Sequence, residues 1–296
     1  MVVEAFGLAG SARGRTRRAV KLHRLPLLLR AYRWLPHRLL NQTAALLTGT
    51  PWPRPVVRAA VRVWQWRGGI GMADFQPADY ATVDEFFLRE LRPGARPIGE
   101  GLVCPADGVV VAHGTIESHG TIEIKGQTLD FARLLNGQQH DLPVAQWHGG
   151  QHFTVFLTPD GYHHVHSPVT GTLRDVRCIR GRFFPQNADA LQVIPKVYER
   201  NERAVVRIGT EHGEFLLIFV GASFVGGIEL AGVADLAAAD KQALPIDRPV
   251  QKGERLGHFR FGSTVVVLCP PGAVGAFAVQ AGQRVQMGAN IAEFQP

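Results

Sequence analysis

The chain has 296 residues, 46% hydrophobic and 19% charged, which supplies a sizeable core and excludes wholesale disorder. Its three cysteines, Cys104, Cys178 and Cys269, form no CxxC pair and are odd in number, so a reducing compartment is expected rather than a disulfide framework. The net charge of +7 is unevenly spread: residues 1–70 carry 13 Lys/Arg and one acid, Glu4, whereas residues 71–296 carry 19 Lys/Arg and 24 Asp/Glu. No run of 18 apolar residues occurs, and the start lacks an apolar stretch followed by a small-residue cleavage site. Neither a membrane-spanning helix nor secretion is therefore expected.

The basic segment, residues 1–70, alternates basic and apolar residues, most densely at 24–40 and 54–67. In the second stretch Arg54, Arg58 and Arg62 recur every four residues and share one helical face; Val57, Val61 and Trp64 share another. Pro51, Pro53 and Pro55 mark where that helix begins. Trp34, Trp64 and Trp66 suit a lipid headgroup boundary, where a ring is half buried and its N–H stays wet. An amphipathic segment lying on an anionic leaflet is the preferred reading, with each basic residue contributing about 1 kcal/mol. A basic helical subdomain packed on the core and a nucleic-acid-binding segment are the alternatives. The apolar residues between the arginines favour lipid over nucleic acid.

The body, residues 71–296, opens with a short predicted helix at 82–91, where Thr82 and Glu85 have capping-box spacing and Phe86, Phe87 and Leu91 form an apolar face. Strands are predicted at 109–116, 152–158, 172–179, 204–209, 214–222 and 264–269, several of them continuous apolar runs suited to burial on both faces. One more helix is predicted at 128–137, closed by Asn136-Gly137. The fold class is α+β and β-rich, a sandwich- or barrel-like catalytic domain carrying the N-terminal basic amphipathic helical segment.

Four segments could carry chemistry. Asp107 sits in a turn, CPADG (104–108), just before a strand, although Asp-Gly turns are common. PDGYHHVHSPVTG (159–171) holds His163, His164 and His166, whose ordinary pKa suits proton transfer near neutrality. The same cluster suggests a metal, but no carboxylate or cysteine follows at a familiar ligand spacing, and no metal is expected. In the stretch 199–230, Gly221, Gly226 and Gly227 permit either a close ligand approach or a bend in the sheet. Finally, Gly262-Ser263 sits at the start of an apolar strand. There the Ser263 hydroxyl could attack the carbonyl of Gly262, helped by tethering, though from the dipeptide alone a plain Gly-Ser turn before a strand is the better reading.

In chain order these segments resemble the phosphatidylserine decarboxylase family. The resemblance rests on TVDEFFLRELRPGARPI (82–98), PADG (105–108), IKGQTLDFARLLNG (124–137), YHHVHSP (162–168), NERAVV (201–206), VGASFVGGIE (220–229) and FGST (261–264). Two positions depart from the usual pattern: Phe261 stands where the family has Leu, and His164 where bacterial members often have Arg.

The resemblance implies a chain that cuts itself between Gly262 and Ser263 into residues 1–262 and 263–296. Ser263 then becomes an N-terminal pyruvoyl group. It implies that His166, oriented by Asp107, deprotonates Ser263, and that His163 serves as proton donor during turnover. The implied reaction takes phosphatidylserine to phosphatidylethanolamine and CO2 at the cytoplasmic face of the cell membrane, with the enzyme bound peripherally. The implied partners are the anionic membrane and the two self-cleaved chains held together; a homodimer is compatible with it, and no nucleic acid is expected. A zinc-dependent hydrolase built on the three histidines and a non-catalytic membrane-binding module are the competing readings.

Overall fold

The computed structural model describes residues 34–296 except 125, 137–143, 159, 224–226, 234–235, 241–242 and 261–262, and except the side chains of 188, 237 and 238. Most of the 24–40 stretch, Gly137, Gly226, Phe261 and Gly262 therefore lie outside the described residues.

Two helices come first, α1 (His37–Gly49) and α2 (Arg54–Gly68). Pro53 and Pro55 start α2, and Gly69 ends it in the left-handed conformation at φ 62°. The face predicted to be apolar is the one α2 buries: Val57 and Val61 pack on Phe86. Arg54 and Arg58 flank this face and pair with Asp79. Trp64, on the same face, is half-buried, and its ring packs edge-on against Phe87, 6.0 Å between centroids. Trp34 and Trp66 are exposed, at 87% and 80%, together with Leu39, Leu46, Leu47, Val56 and Val63. Among the described residues no helix is long and apolar enough to cross a membrane.

The linking helix α3 (Val83–Phe87) starts as its capping spacing predicts. Thr82 Oγ1 accepts from Glu85 N at 3.0 Å, and Glu85 Oε2 reaches back to Ala81 N at 2.6 Å, one residue before the usual position.

The strands are β1 (Leu102–Val103), β2 (Gly108–Thr115), β3 (Thr121–Ile124), β4 (Gln127–Asp130), β5 (Gln151–Phe156), β6 (His164–His166), β7 (Gly171–Ile179), β8 (Arg203–Thr210), β9 (Gly213–Val220), β10 (Ile228–Leu230), β11 (Leu244–Val250), β12 (Arg255–Phe259), β13 (Thr264–Cys269), β14 (Arg284–Val285) and β15 (Asn290–Ala292). Eight form one antiparallel sheet in the order β11-β7-β8-β9-β13-β5-β2-β14; β10-β12-β6 form a second sheet, and β1-β15 and β3-β4 are pairs. The large sheet is open, with β11 and β14 at its edges, so the barrel-like expectation holds only as a β-rich layered body.

All six long predicted strands are present within one or two residues; the short ones, β6 among them, carry too few alternations to be read from pattern. The 128–137 prediction splits, because Gln127–Asp130 pairs with β3 before the helix α4 (Phe131–Asn136) begins.

Both faces of the large sheet are covered. Val265, Val267 and Cys269 of β13 join Phe153, Val155, Leu217 and Phe219 on one side. Val266 and Leu268 join Leu216, Ile218, Phe131 and Trp147 on the other. Double-sided burial is why β13 reads as an unbroken apolar run.

Residues 263–296 contribute strands to three separate partnerships: β13 between β9 and β5, β14 on β2, and β15 on β1. A cut before Ser263 leaves all of these intact, and the buried area holds the piece in place.

Glycine 108 opens β2 against β5, and a Cβ there would lie 2.2 Å from the carbonyl oxygen of Phe156. Gly108→Ala is therefore expected to push the two strands apart at a cost of about 1–3 kcal/mol. A urea titration followed by circular dichroism checks it, and an unchanged midpoint would contradict the close approach.

Candidate functional site

Ser263 lies at the start of β13. Its carbonyl accepts from Leu157 N at 2.8 Å, just beyond the paired end of β5. The residue is fully buried, and its Oγ has no hydrogen-bond partner among the described residues. A buried hydroxyl left unpaired loses its water without compensation, so a serine held there carries a standing cost.

The surroundings are tightly pinned. Thr264 Oγ1 donates to Gln186 Oε1, Gln186 Nε2 donates to Gly221 O at 2.8 Å, and Asn201 Nδ2 donates to Gly221 O at 2.8 Å. Gly221 thus serves the bend where β9 ends, one of the two roles open to it from sequence. Gln186 and Asn201 were not singled out from sequence as site-shaping residues, because an isolated Gln or Asn gives no signal until the fold brings it to the end of β9.

His163 is fully buried, its ring over Phe87 with centroids 3.9 Å apart and planes 30° apart. Its carbonyl accepts from Phe259 N at 3.2 Å, which ties it to the end of β12 from which the chain runs on to Ser263.

His164 Nε2–H donates to Leu88 O at 3.0 Å, and burial lowers its pKa to about 4. Its ring also neighbours those of Tyr162 and His258, at 4.8 and 5.5 Å.

His166 has both ring nitrogens engaged. A carbonyl can only accept, so Nδ1 carries the proton and donates to Gly253 O at 2.8 Å. Nε2 then accepts from the hydroxyl of Tyr162 at 3.0 Å. Burial lowers the pKa of His166 and keeps it neutral; the hydrogen bond to Gly253 and the nearby Asp107 charge oppose this.

The direct hydrogen bond expected between Asp107 and His166 is not made. Asp107 is buried and takes Arg96 instead: Nε donates to Oδ1 at 3.0 Å and Nη2 to Oδ2 at 2.7 Å. Met287 N adds a third bond at 2.8 Å. Arg96 also pairs with Asp74 at 2.8 Å, and the two acids raise its pKa. A fork of two parallel bonds is the strong form of this contact and outcompetes a neutral imidazole. Asp107 acts on His166 through its field rather than by contact.

The three histidines point to different neighbours. Among the described residues no group of three or more His, Cys, Asp or Glu side chains is placed to hold a metal ion.

A cavity of about 630 Å³ opens beside this arrangement, lined among others by Arg96, Asp107, Thr158, Asp160, Tyr162 and Arg284. Thr158 follows the residue that bonds Ser263, so the cavity approaches the serine without being lined by it.

A phosphatidylserine decarboxylase family profile matches residues 83–293, the span that contains all of these groups except Asp74. The chain belongs to the phosphatidylserine decarboxylase family. It is 35% identical over 279 residues to the phosphatidylserine decarboxylase proenzyme of Stenotrophomonas maltophilia, covering 88% of this chain and 96% of that one. The Brevibacillus brevis proenzyme is 32% identical over 269 residues, 87% of this chain and 94% of its own. The Pseudomonas putida proenzyme is 35% identical over 275 residues, 88% and 94% respectively.

Burial of His164 as a neutral ring links stability to pH. Its folded pKa of about 4 lies below the ordinary 6.5, so from pH 6.5 down to 4 the unfolded chain binds a proton that the folded chain refuses. Stability should fall over that window by about 3 kcal/mol from this residue. Urea midpoints measured at pH 7 and pH 5 should show the fall, and His164→Gln should flatten it.

Proposed function

We propose that this chain is the proenzyme of a phosphatidylserine decarboxylase, cleaving itself between Gly262 and Ser263 and then converting phosphatidylserine to phosphatidylethanolamine and CO2. The observation that carries the reading is the buried, unpaired hydroxyl of Ser263, one residue after a glycine and at the head of a strand that cannot leave the sheet. A hydroxyl so placed fits the precursor of a pyruvoyl group formed from the chain itself.

Processing is acyl transfer within the backbone. His166 is neutral, but its Nε2 lone pair is taken by the Tyr162 hydroxyl and Ser263 Oγ makes no bond to it, so to serve as general base it must exchange the Tyr162 hydroxyl for that of the serine. It takes the Ser263 proton, and the Asp107 charge favours the imidazolium that results. Oγ bonds to the Gly262 carbonyl carbon as the C–N bond breaks, which turns the amide into an ester. Removal of the Cα proton of residue 263 then expels Gly262 as a carboxylate. Water adds to the remaining enamine, ammonia leaves, and the new chain begins with a pyruvoyl carbonyl.

That carbonyl supplies an electrophile for the headgroup amine and a sink for the electrons released with CO2. His163 returns a proton to the carbon that lost CO2. Arg96 holds Asp107 in place.

The helical hairpin serves the substrate's location. The exposed Trp34, Trp66, Leu46 and Leu47 and the basic residues of α1 and α2 suit a peripheral position on an anionic bilayer at the cytoplasmic face of the cell membrane. In this reading residues 1–70 seat the enzyme and residues 71–296 do the chemistry.

An intact mass spectrum tests the central step. Wild type should yield residues 1–262 and a blocked 263–296 chain, and Ser263→Ala should stay whole. His163→Ala should divide normally yet turn over ~100-fold or more slowly. A fully active undivided chain would defeat the proposal. The purified protein should also sediment with phosphatidylserine-containing vesicles at low salt and release at high salt, as a charge-driven contact must; binding indifferent to both lipid charge and salt would remove the seating role.

A further inference from the structure

The stretch from Asp84 to Glu90 makes an unusual set of contacts for a linker. Asp84 pairs with Arg260 at 3.2 Å, two residues before Gly262. Phe87 lies against His163. The carbonyl of Leu88 accepts from His164 at 3.0 Å. Glu90 takes Arg255 at the other end of β12, with 2.9 Å between Arg255 Nη1 and Oε1.

Arg89 is the buried centre of this stretch, 2% exposed. Its Nη2 donates to Asp160 O at 2.6 Å and Gly161 O at 2.8 Å, and its Nη1 donates to Phe86 O at 3.1 Å. The guanidinium also lies 4.3 Å from the ring centroid of Phe75 and 4.9 Å from that of Phe86. A planar cation clamped between rings and three carbonyls holds one geometry. The carbonyls it holds belong to the turn that leads into Tyr162 and His163.

His163 is thus fixed on three sides. Its backbone is tied to β12, the preceding turn is tied to Arg89, and its ring rests on the flat face of Phe87. Phe87 is itself 1% exposed and backed by the edge of Trp64 from α2. An imidazole turns about a broad, soft torsion, so a flat neighbour at 3.9 Å selects its plane where an aliphatic side chain would not.

The geometry points to Phe87 as a positioning residue for the decarboxylation step, setting the ring plane of His163 with Arg89 holding the turn beneath it. This rests on the reading of His163 as the proton donor. The effect expected of the His163 ring plane is on the proton returned during turnover, which is read separately from self-cleavage. The ring pair Trp64–Phe87 also makes α2 the backing of the site, which joins the helical hairpin to the chemistry through two contacts.

The test is a double-mutant cycle on the full chain, with phosphatidylserine in mixed micelles as substrate. Phe87→Leu keeps apolar bulk and removes the flat face. It should divide into two chains like wild type, hold KM within about twofold, and lower kcat by ~10- to 100-fold. Added to His163→Ala, the same change should cost nothing further, because the residue it positions is gone. Phe87→Met, which fills the same space flexibly, serves if the leucine variant does not fold, with the same expectations. A kcat within twofold of wild type, or equal losses in both backgrounds, overturns the assignment. Full turnover by His163→Ala alone would instead overturn the role of His163, a different result from failure of the cycle.

Discussion

The six-residue register of β13 between β9 and β5 is the constraint on which the rest depends. It is a central strand, apolar on both faces, and every backbone group from Thr264 to Leu268 has a partner strand on each side. Such a strand is expensive to withdraw, since its side chains and its ladder would both meet water. Ser263 inherits that rigidity. In the proposed reading, a hydroxyl tethered to the peptide it attacks takes the place of a bimolecular encounter.

The charges are arranged around this fixed point in two tiers. Close in, His164 and His166 are buried, and burial favours their neutral forms. Further out, Asp107 is locked by Arg96, and Arg96 in turn by Asp74, so the carboxylate does not depend on an imidazole for its partner. Separating the pair in this way lets Asp107 bias a proton on His166 through the low-dielectric interior. The second sheet does the mechanical part. β6 carries His164 and His166, β12 runs beside it toward Ser263, and α3 with the residues after it is pinned across both.

The cavity beside Asp107 touches the site from one side, and the hairpin of α1 and α2 backs it from another through Trp64 and Phe87. In the proposed reading, the surface that meets the membrane and His163 are joined through two aromatic rings, Trp64 and Phe87. A lipid substrate makes that economy sensible, because its headgroup must be met where the bilayer ends.

Much of this was legible in the residues themselves. Long apolar runs announced the strands, since burial on both faces leaves no alternation to disguise. Proline and glycine bounded α2, Thr82 started α3, and the order of Asp107, the histidines and Gly262-Ser263 identified the family. What a linear reading could not supply was any contact made across large separations. Arg96 and Asp107 are eleven residues apart, yet their fork depends on the turns between them. Phe87 and His163 are much further apart in the chain and meet ring to ring. Composition and periodicity report which face of an element is apolar; they do not report which side chain arrives opposite it. Trp64 shows the difference most plainly: its amphipathic position was readable, but whether it faced lipid or Phe87 was decided by where α3 packs, a matter of tertiary geometry alone.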